Sequence, residues 1–413
     1  MAGLCRLCGA KLTQTLVDLG TMPLANSYLE PAALDRPEPA FPLVARLCET
    51  CCLVQVDHSV TADAIFSDYA YFSSYSPAWV AHAFAYADMM RRRFALDASA
   101  KIVEIASNDG YLLQHFQRMG MPVLGVEPAA NVAAAAEAKG IPTEVAFFGA
   151  ATAARLRDEG HGADVMAANN VLAHVPDLND FLAGFKILLK PEGVITFEFP
   201  HLLRLLEEVQ FDTIYHEHFS YFSLLTAERA LARHRLRVFD VEQLPTHGGS
   251  LRLFVCHDAA AHKEGPALAA LRAVEATARL HEPAAYAGFA PRVDALRAEF
   301  LRFLDEAKRA GKPVAAYGAA AKGNTLLNYC GVTTDRIAYV VDGSPHKQGR
   351  FLPGSHLPIY APARIFETRP DYVLILPWNL ADEISGQAAG IAAWGGRFVT
   401  AVPKIRIFQA PAR

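Results

Sequence analysis

Short apolar runs alternate with helix-like stretches between residues 101 and 197 of the chain. The runs predicted as strands are 101–106, 122–126, 163–168 and 193–197, and the predicted helices are 110–119 and 131–139. This alternation predicts a parallel, doubly wound α/β sheet, with its ligand at the carboxyl ends of the strands. Two later runs, at 236–240 and 251–255, predict an antiparallel pair that closes the sheet.

A second α/β series follows an Ala- and Leu-rich stretch, which predicts two bridging helices between residues 266 and 310. Its predicted elements are strands at 313–317, 337–341, 372–376 and 397–401, a small-residue turn at 318–323 and a helix at 324–329. They indicate a smaller Rossmann-type sheet. Because 413 residues exceed what one hydrophobic core supports, we expect domains at 1–74, 75–262 and 263–413.

Composition narrows the class of protein. Apolar residues make up 52% of the chain and charged residues 20%, which is typical of a folded protein. The net charge of −4 and the lack of a Lys/Arg cluster argue against nucleic acid or an anionic membrane as partner. No apolar run approaches the length of a membrane span, and the N-terminus has no signal-peptide core. We therefore expect a cytoplasmic protein with a small-molecule substrate, monomeric or weakly oligomeric.

Five of the seven cysteines lie in the first 52 residues. Cys5 and Cys8 form one pair with a two-residue gap, and Cys48 and Cys51 form another. Two such knuckles can place four thiolates tetrahedrally around Zn²⁺ at roughly 2.3 Å, which leaves no open position and predicts a structural site. Disulfides are the alternative, and a cytoplasmic location disfavours them. Cys52 could replace Cys51 if the register shifted, although the two-residue gap favours Cys51.

The turn after the first central strand contains Glu104 and Asp109 but only one glycine, Gly110. Glu127 follows at the end of the second strand, where a carboxylate can accept hydrogen bonds from ribose hydroxyls. NAD would use the same acid, but a pyrophosphate normally requires a glycine series at the helix start. Negative charge near the turn suits a cation instead. The pattern therefore favours S-adenosylmethionine.

Tyr215-His216-Glu217-His218 places a phenol, a carboxylate and two imidazoles in four consecutive residues. Imidazole exchanges protons near neutral pH, and a neighbouring carboxylate or phenol can orient it. A solvated loop would also accommodate such residues. The position of these four residues downstream of the cofactor pattern favours a role in acid–base chemistry.

Several motifs together resemble the sugar C-methyltransferases of deoxysugar biosynthesis, over essentially the whole chain. They are the cysteine pairs, Pro23-Leu24-Ala25-Asn26, the stretch from Val103 to Tyr111, Asn169-Asn170-Val171-Leu172-Ala173-His174 and the stretch from Tyr215 to Tyr221. The resemblance implies a zinc-binding N-terminal domain, a class I methyltransferase domain and a C-terminal Rossmann-like domain. It also implies methylation at C3 of a nucleotide-linked 4-keto-deoxyhexose, commonly dTDP-linked.

The resemblance also implies residue roles. His218 would be the base, with Glu217 and Tyr215 tuning it, His174 polarising the ketone or holding a hydroxyl, and Tyr69 closing the site. Candidates for cofactor binding are Glu104, Ala106, Ser107, Asn108, Gly110, Tyr111, Glu127, Pro128, Phe147, Phe148, Asn169 and Asn170. Candidates for substrate binding are Asn26, Tyr71, Ser73, Lys322, Asn324 and Lys347. His174 could instead be a helix-capping or packed imidazole, and the turn containing Lys322 could be purely structural.

Two other functions remain open at this point. An O- or N-methyltransferase needs only a base that accepts a hydroxyl or ammonium proton. A non-catalytic sugar-nucleotide binding protein would contain the same folds with a vestigial cofactor turn. Loss of deuterium from C3 and binding of S-adenosylmethionine, respectively, distinguish them from a C-methyltransferase.

Overall fold

The computed structural model describes residues 3–57 and 72–409, which contain three β-sheets. Strands are labelled β1–β17 and helices α1–α12 in chain order. No helix within these ranges is long and apolar enough to span a bilayer.

The N-terminal sheet is antiparallel, with strand order β1-β2-β3-β9. Its strands are β1 (Gln14–Met22), β2 (Phe41–Leu47), β3 (Val54–Val56) and β9 (Ser220–Tyr221). Along β2 buried and less buried positions alternate, as in a strand with one face on a core. Because β9 lies far along the chain, this sheet joins the cysteine-rich segment to the stretch after His218.

The central sheet has the order β10-β11-β8-β7-β4-β5-β6. Its strands are β4 (Ile102–Ile105), β5 (Val123–Val126), β6 (Thr143–Glu144), β7 (Ala163–Asn169), β8 (Leu189–Pro200), β10 (Leu236–Leu244) and β11 (Ser250–His257). β8 through β6 are parallel, while β10 and β11 are antiparallel. The predicted doubly wound sheet and its antiparallel closing pair are confirmed.

Within the described residues, seven helices belong to the central part of the chain. They are α1 (Pro77–Arg93), α2 (Leu113–Arg118), α3 (Ala130–Ala138), α4 (Ala150–Asp158), α5 (Leu178–Leu188), α6 (Leu202–Glu207) and α7 (Leu224–Ala232). All except α6 pack on the central sheet, whereas α6 packs in the core that joins the N-terminal and C-terminal sheets. α1 begins after Ser76, whose hydroxyl accepts the Trp79 N–H. α2 begins three residues later than predicted, because Gly110 has a left-handed φ of 75° and belongs to the preceding turn.

The C-terminal sheet has the order β14-β13-β12-β15-β16-β17, parallel except for β17. Its strands are β12 (Val314–Tyr317), β13 (Val340–Val341), β14 (Ile359–Tyr360), β15 (Tyr372–Ile375), β16 (Arg397–Thr400) and β17 (Arg406–Phe408). The helix α8 (Pro266–Thr277) packs against β10 of the central sheet. The helices of the C-terminal part are α9 (Phe289–Arg309), α10 (Ala321–Cys330), α11 (Ala363–Thr368) and α12 (Ala381–Gln387). The predicted Rossmann-like sheet is present, with β13 shorter than expected.

One hydrophobic core connects the N-terminal and C-terminal sheets with the segment 202–214, which follows β8 of the central sheet. It contains Leu43 of the N-terminal sheet, Phe211 of the central part, Phe300 of α9 and Leu327 of α10, all fully buried. Burial of such large side chains favours a single arrangement of the three parts. The segment 211–221 therefore lies where they meet. The domain boundaries at 74/75 and 262/263 stay predictions.

Candidate active site

A tight turn follows β4 at the carboxyl edge of the central sheet. Ala106, Asn108 and Gly110 have φ angles of 54°, 50° and 75°, a region that non-glycine residues seldom adopt. The Ala106 N–H donates to the Val126 carbonyl at 2.7 Å, which ties the turn to β5. Hydrogen bonds to β5 thus support a turn built without a glycine series. We call residues 106–110 the cofactor turn.

Glu127, directly after β5, holds the cofactor turn from the side. Its Oε2 accepts the Asn108 N–H and its Oε1 accepts the Ala129 N–H, both at 2.9 Å. Burial raises the pKa of this carboxyl group, and the two amide bonds act in the opposite direction. Each carboxylate oxygen retains a second lone pair. Glu127 can therefore accept ribose hydroxyls while keeping the turn in place.

Buried polar atoms around the cofactor turn have no hydrogen-bond partner within the described ranges. They are Glu104 Oε2, Ser107 Oγ, Asp109 Oδ1 and Asn169 Oδ1. Buried polar groups are nearly always bonded, so these atoms indicate a polar ligand. Burial raises the pKa of Glu104 well above its usual range, and the negative charges of Glu127 and Asp109 add to this. A cationic ligand would relieve that repulsion, so the residues fit S-adenosylmethionine.

The remaining cofactor candidates have varied surroundings. Tyr111 is buried and its ring lies 6.1 Å from the Trp79 ring. Phe147 is half exposed beyond β6, whereas the Phe148 ring packs 5.1 Å from Phe185 in the core. Asn170 has a left-handed φ of 57° and follows β7. Pro128 lies between Glu127 and α3. Contact of these residues with the cofactor stays a prediction.

The proposed base is held by hydrogen bonds on both ring nitrogens. His218 Nδ1 lies 2.9 Å from the Thr213 carbonyl oxygen, and Nε2 lies 2.7 Å from the Tyr215 hydroxyl. A carbonyl oxygen only accepts, so Nδ1 carries the proton and Nε2 accepts the phenol O–H. Burial lowers the pKa of His218 well below its usual range, and the neighbouring His174 adds to this. The imidazole is therefore neutral, with its basic nitrogen on the phenol.

His174 and Glu217 complete this cluster on opposite sides. The His174 ring lies 4.7 Å from the His218 ring, edge to face, at the end of a short 3₁₀-helix after β7. Burial lowers the pKa of His174 to about 4. Glu217 points toward the N-terminal part, where both carboxylate oxygens accept from Asn26 Nδ2, at 2.8 and 2.9 Å. Burial raises the pKa of Glu217 to about 7.

The substrate candidates in the C-terminal domain are Lys322 and Asn324, in the first turn of α10, and Lys347, in the loop after β13. Lys322 Nζ donates to Asn379 Oδ1 at 2.7 Å and lies 4.8 Å from the centroid of the Trp378 ring. Lys347 Nζ donates to the Ala319 carbonyl at 2.8 Å. Asn324 is 1% exposed, and neither its amide oxygen nor its nitrogen has a partner within the described ranges. Such a side chain is available to a ligand.

Residues 60–75, an unusually aromatic segment that we call the aromatic link, are described only from residue 72 onward. Tyr69 and Tyr71 lie outside the described residues. Ser73 is buried, and its backbone N–H donates to Asn108 Oδ1 at 2.9 Å. The Ser74 N–H donates to Asp109 Oδ2 at 3.3 Å. The end of the link therefore lies directly on the cofactor turn.

Glu198, at the end of β8, is a charged group that the sequence reasoning missed. Its carboxylate is fully buried and accepts from Arg252 Nη2 at 2.7 Å, and His82 Nε2 lies 3.1 Å away. Burial raises the pKa of Glu198, but His82 and Arg252 outweigh this and lower it overall. A lone acid between Phe197 and Phe199 in an apolar strand was the available signal, since a buried charge needs a partner.

Asp212 also escaped the sequence reasoning. It is fully buried, and its Oδ2 accepts the Trp378 Nε1–H at 2.7 Å. Burial raises the pKa of Asp212 to about 6 although the charge of Lys322 opposes this. The bond joins the segment before Tyr215 to the C-terminal part, across 166 residues. No local sequence pattern predicts a partner so far away along the chain.

The four predicted zinc ligands come together. Within the described ranges, Cys5, Cys8, Cys48 and Cys51 form a cluster with sulfur atoms within 4.8 Å of one another. The Cys5–Cys51 and Cys8–Cys48 sulfur distances are both 3.5 Å, far beyond a disulfide bond of about 2.05 Å. A tetrahedral site with Zn–S near 2.3 Å requires sulfurs about 3.8 Å apart. The donor set fits Zn²⁺, and Cys52 packs in a different core.

Comparison with known proteins identifies the family of this chain. The chain is 36% identical over 406 residues to C-methyltransferase NovU of Streptomyces niveus, covering 98% of this chain and 97% of that protein. It belongs to the C-methyltransferase family. Family models match a zinc binding domain at 5–66, a methyltransferase domain at 79–240 and a C-methyltransferase C-terminal domain at 245–403.

Other similarities are narrower. Ubiquinone biosynthesis O-methyltransferase of Rhodopseudomonas palustris strain BisA53 is 29% identical over 98 residues, 24% of this chain and 39% of that protein. A crystal structure of magnesium protoporphyrin IX methyltransferase from Synechocystis PCC 6803 with bound S-adenosylmethionine has 12% identity and a TM-score of 0.34, covering 43% of this chain and 79% of that one.

The chain is thus an S-adenosylmethionine-dependent C-methyltransferase with a class I methyltransferase fold and a zinc-binding N-terminal domain. Its sequence-based prediction as an enzyme of this family, with these two cofactors, is confirmed. The individual site residues stay predictions.

Glu127→Ala is expected to weaken binding of S-adenosylhomocysteine by about 1.5–3 kcal/mol, because a charged acceptor for ribose hydroxyls is lost. Isothermal calorimetry measures the effect. Glu137→Ala, on the exposed side of α3, is the matched control and should leave the affinity unchanged. Equal affinities for wild type and Glu127→Ala would exclude this placement of the ribose.

Proposed function

We propose that this C-methyltransferase methylates C3 of a nucleotide-linked 4-keto-deoxyhexose. The supporting observation is the neutral His218 imidazole, hydrogen-bonded through Nδ1 to Thr213 and through Nε2 to Tyr215, beside a second imidazole. A ketone makes the proton on the adjacent carbon acidic enough for such a base. The reaction belongs to deoxysugar biosynthesis.

The nucleotide that carries the sugar is proposed as dTDP, following the family resemblance. The carbon nucleophile forms when the C3 proton leaves and the negative charge spreads onto the ketone oxygen. S-adenosylmethionine, when bound, supplies the electrophilic methyl group. Every other requirement of the reaction falls to side chains of this chain: removing the proton, stabilising the enolate oxygen and holding the sugar.

His218 receives the proton at Nε2. In the structure this nitrogen accepts the Tyr215 hydroxyl, so the proton reaches it either directly, after the phenol turns aside, or through the phenol oxygen. The Nδ1–H bond to the Thr213 carbonyl persists in the imidazolium and stabilises the new charge. Tyr215 thus orients the base or transmits the proton, and Thr213 fixes the tautomer.

His174 is proposed to hold a sugar hydroxyl. Burial keeps its ring neutral at physiological pH, and its single N–H bonds the backbone carbonyl of Glu217, so Nδ1 is left as an acceptor for a hydroxyl proton. Its ring lies 4.7 Å from the His218 ring, which places both imidazoles near one substrate. Glu217, with Asn26, is proposed to hold a sugar hydroxyl on the N-terminal side.

The C-terminal domain is proposed to bind the nucleotide. Its first turn repeats the hydrogen bonds of the cofactor turn: Asp342, after β13, accepts the Ala319 N–H and the Ser344 N–H, both at 2.8 Å. Glu127 makes the corresponding bonds after β5. A carboxylate in this position commonly binds ribose hydroxyls. Lys347 Nζ lies 3.7 Å from Asp342 and is proposed to meet the diphosphate.

Lys322 and Asn324, on the first turn of α10, are proposed to bind the same nucleotide sugar nearer the reacting carbon. Lys322 is the cation that also opposes protonation of His218 and Asp212. Tyr69, Tyr71 and Ser73 of the aromatic link are proposed to close the site.

We also propose a cytoplasmic enzyme, monomeric or weakly oligomeric, that binds no nucleic acid.

His218→Ala is expected to lower turnover by about 10²–10⁴-fold, the usual contribution of a positioned acid or base. Binding of S-adenosylhomocysteine should be unchanged. His216→Gln is the matched control, because His216 Nε2 bonds the Phe41 carbonyl and its ring faces the N-terminal sheet. Near wild-type turnover in His218→Ala would exclude it as the base.

The same base predicts the pH profile. Activity requires neutral His218, and burial lowers its pKa, so turnover should persist below pH 6.5 and fall only at more acidic pH. The expected midpoint is thus lower than that of a solvent-exposed imidazole. An acidic limb above 6.5 in the profile of kcat/KM would contradict the environment described for His218.

Asp342→Asn is expected to weaken binding of TDP by about 1.5–3 kcal/mol, because the carboxylate acceptor for the sugar hydroxyl is lost. S-adenosylhomocysteine affinity should not change. Asp371→Asn, immediately before β15 in the same domain, serves as the control. TDP binding that is equal in wild type and Asp342→Asn would exclude the C-terminal turn as the nucleotide site.

A further inference from the structure

The zinc knuckle and the proposed base are joined through one buried side chain, Gln55 of β3. Its Nε2 donates to Cys5 Sγ at 3.2 Å, and its Oε1 accepts the Arg6 N–H at 3.0 Å. Gln55 is 1% exposed. An amide donor on a metal-binding thiolate stabilises the charged sulfur and orients it. The side chain therefore fixes β3 to the N-terminal knuckle.

The backbone of the same strand pairs with the segment that follows His218. Gln55 lies opposite Ser220 in the β3–β9 ladder, and the Val56 N–H donates to the Phe219 carbonyl at 3.1 Å. The Phe219 N–H in turn donates to the Ala173 carbonyl at 2.7 Å. Ala173 precedes His174, and Phe219 follows His218. One strand thus sets the position of both imidazoles.

Arg6 forms a second connection. It lies between the ligands Cys5 and Cys8, and its Nη2 donates to the Val56 carbonyl at 2.8 Å. Its guanidinium carbon lies 5.3 Å from the centroid of the Phe219 ring, within the range of a cation–π interaction. The knuckle therefore contacts both the strand and the side chain next to the base.

We propose that the zinc site is a positioning element for the catalytic segment, and that Gln55 and Arg6 are positioning residues that connect the two. A zinc ion bound by the four cysteines would fix Cys5, whose sulfur accepts the hydrogen bond from Gln55. The backbone of β3 pairs with residues 219–221, and Phe219 donates to the Ala173 carbonyl. Loss of the connection would let the His174 and His218 rings separate while leaving the cofactor turn in place. The effect on activity rests on the proposed role of His218; the structural coupling does not.

Hydrogen–deuterium exchange of the full-length protein tests the coupling. Gln55→Leu removes the donor to Cys5, so zinc affinity should fall about 10–100-fold in competition with a chromogenic chelator. Amide exchange in peptides covering 172–176 and 215–221 should become about tenfold faster, with peptides covering 102–127 unchanged. Turnover should fall through kcat, with the affinity for S-adenosylhomocysteine unchanged.

Arg6→Met keeps all four cysteines and most of the side-chain stem, and it guards against a general folding defect in Gln55→Leu. It should retain one equivalent of zinc and show the same faster exchange at 215–221. Glu49→Gln is the matched control, because Glu49 lies in the other knuckle and bonds Thr13 on the exposed side. It should match wild type in zinc affinity, exchange and turnover.

Unchanged exchange at 215–221 in both Gln55→Leu and Arg6→Met would overturn the proposal, as would faster exchange spread equally over 102–127. If exchange rises as expected but His218→Ala retains full turnover, the coupling holds and only the base assignment fails. The two ideas are therefore separable.

Discussion

Two hydrogen bonds to the backbone of Phe219 fix the geometry on which the proposed active site depends. The Phe219 N–H donates to the carbonyl of Ala173, the residue before His174. The Phe219 carbonyl accepts from the Val56 N–H of β3. His218 precedes Phe219, so the spacing of the two imidazoles is set by backbone bonds rather than by flexible side chains. Such bonds are short and directional, and in a buried setting they are costly to break.

Burial then gives the polar groups their chemical character. It keeps His174 and His218 neutral and raises the pKa of Glu104 and Glu217. A neutral imidazole can accept a proton or a hydrogen bond, and a bound cationic methyl donor would favour the charged form of the buried carboxyl groups at the cofactor turn. In the proposed mechanism, the cofactor and the substrate would both bind at the carboxyl edge of the central sheet.

Local patterns predicted the two α/β sheets, the four cysteines and the Tyr215–His218 pair, because strands, knuckles and residues three apart interact within short stretches. The N-terminal sheet was not predicted: β1 contains register irregularities, and β9 has only two residues. The Asn26–Glu217 bond spans 191 residues and the Trp378–Asp212 bond spans 166. Such partners depend on how whole domains pack, and no local periodicity in the sequence predicts that packing.

The most direct test of the central claim uses a nucleotide-linked 4-keto-deoxyhexose that carries deuterium at C3. Incubated with wild-type enzyme and S-adenosylmethionine, it should yield a methylated product that has lost this deuterium, one atom for each methyl group transferred, as measured by mass spectrometry. A sample without enzyme corrects for spontaneous exchange. A methylated product that retains deuterium at C3 would show that the methyl group went to another atom, and would contradict the mechanism.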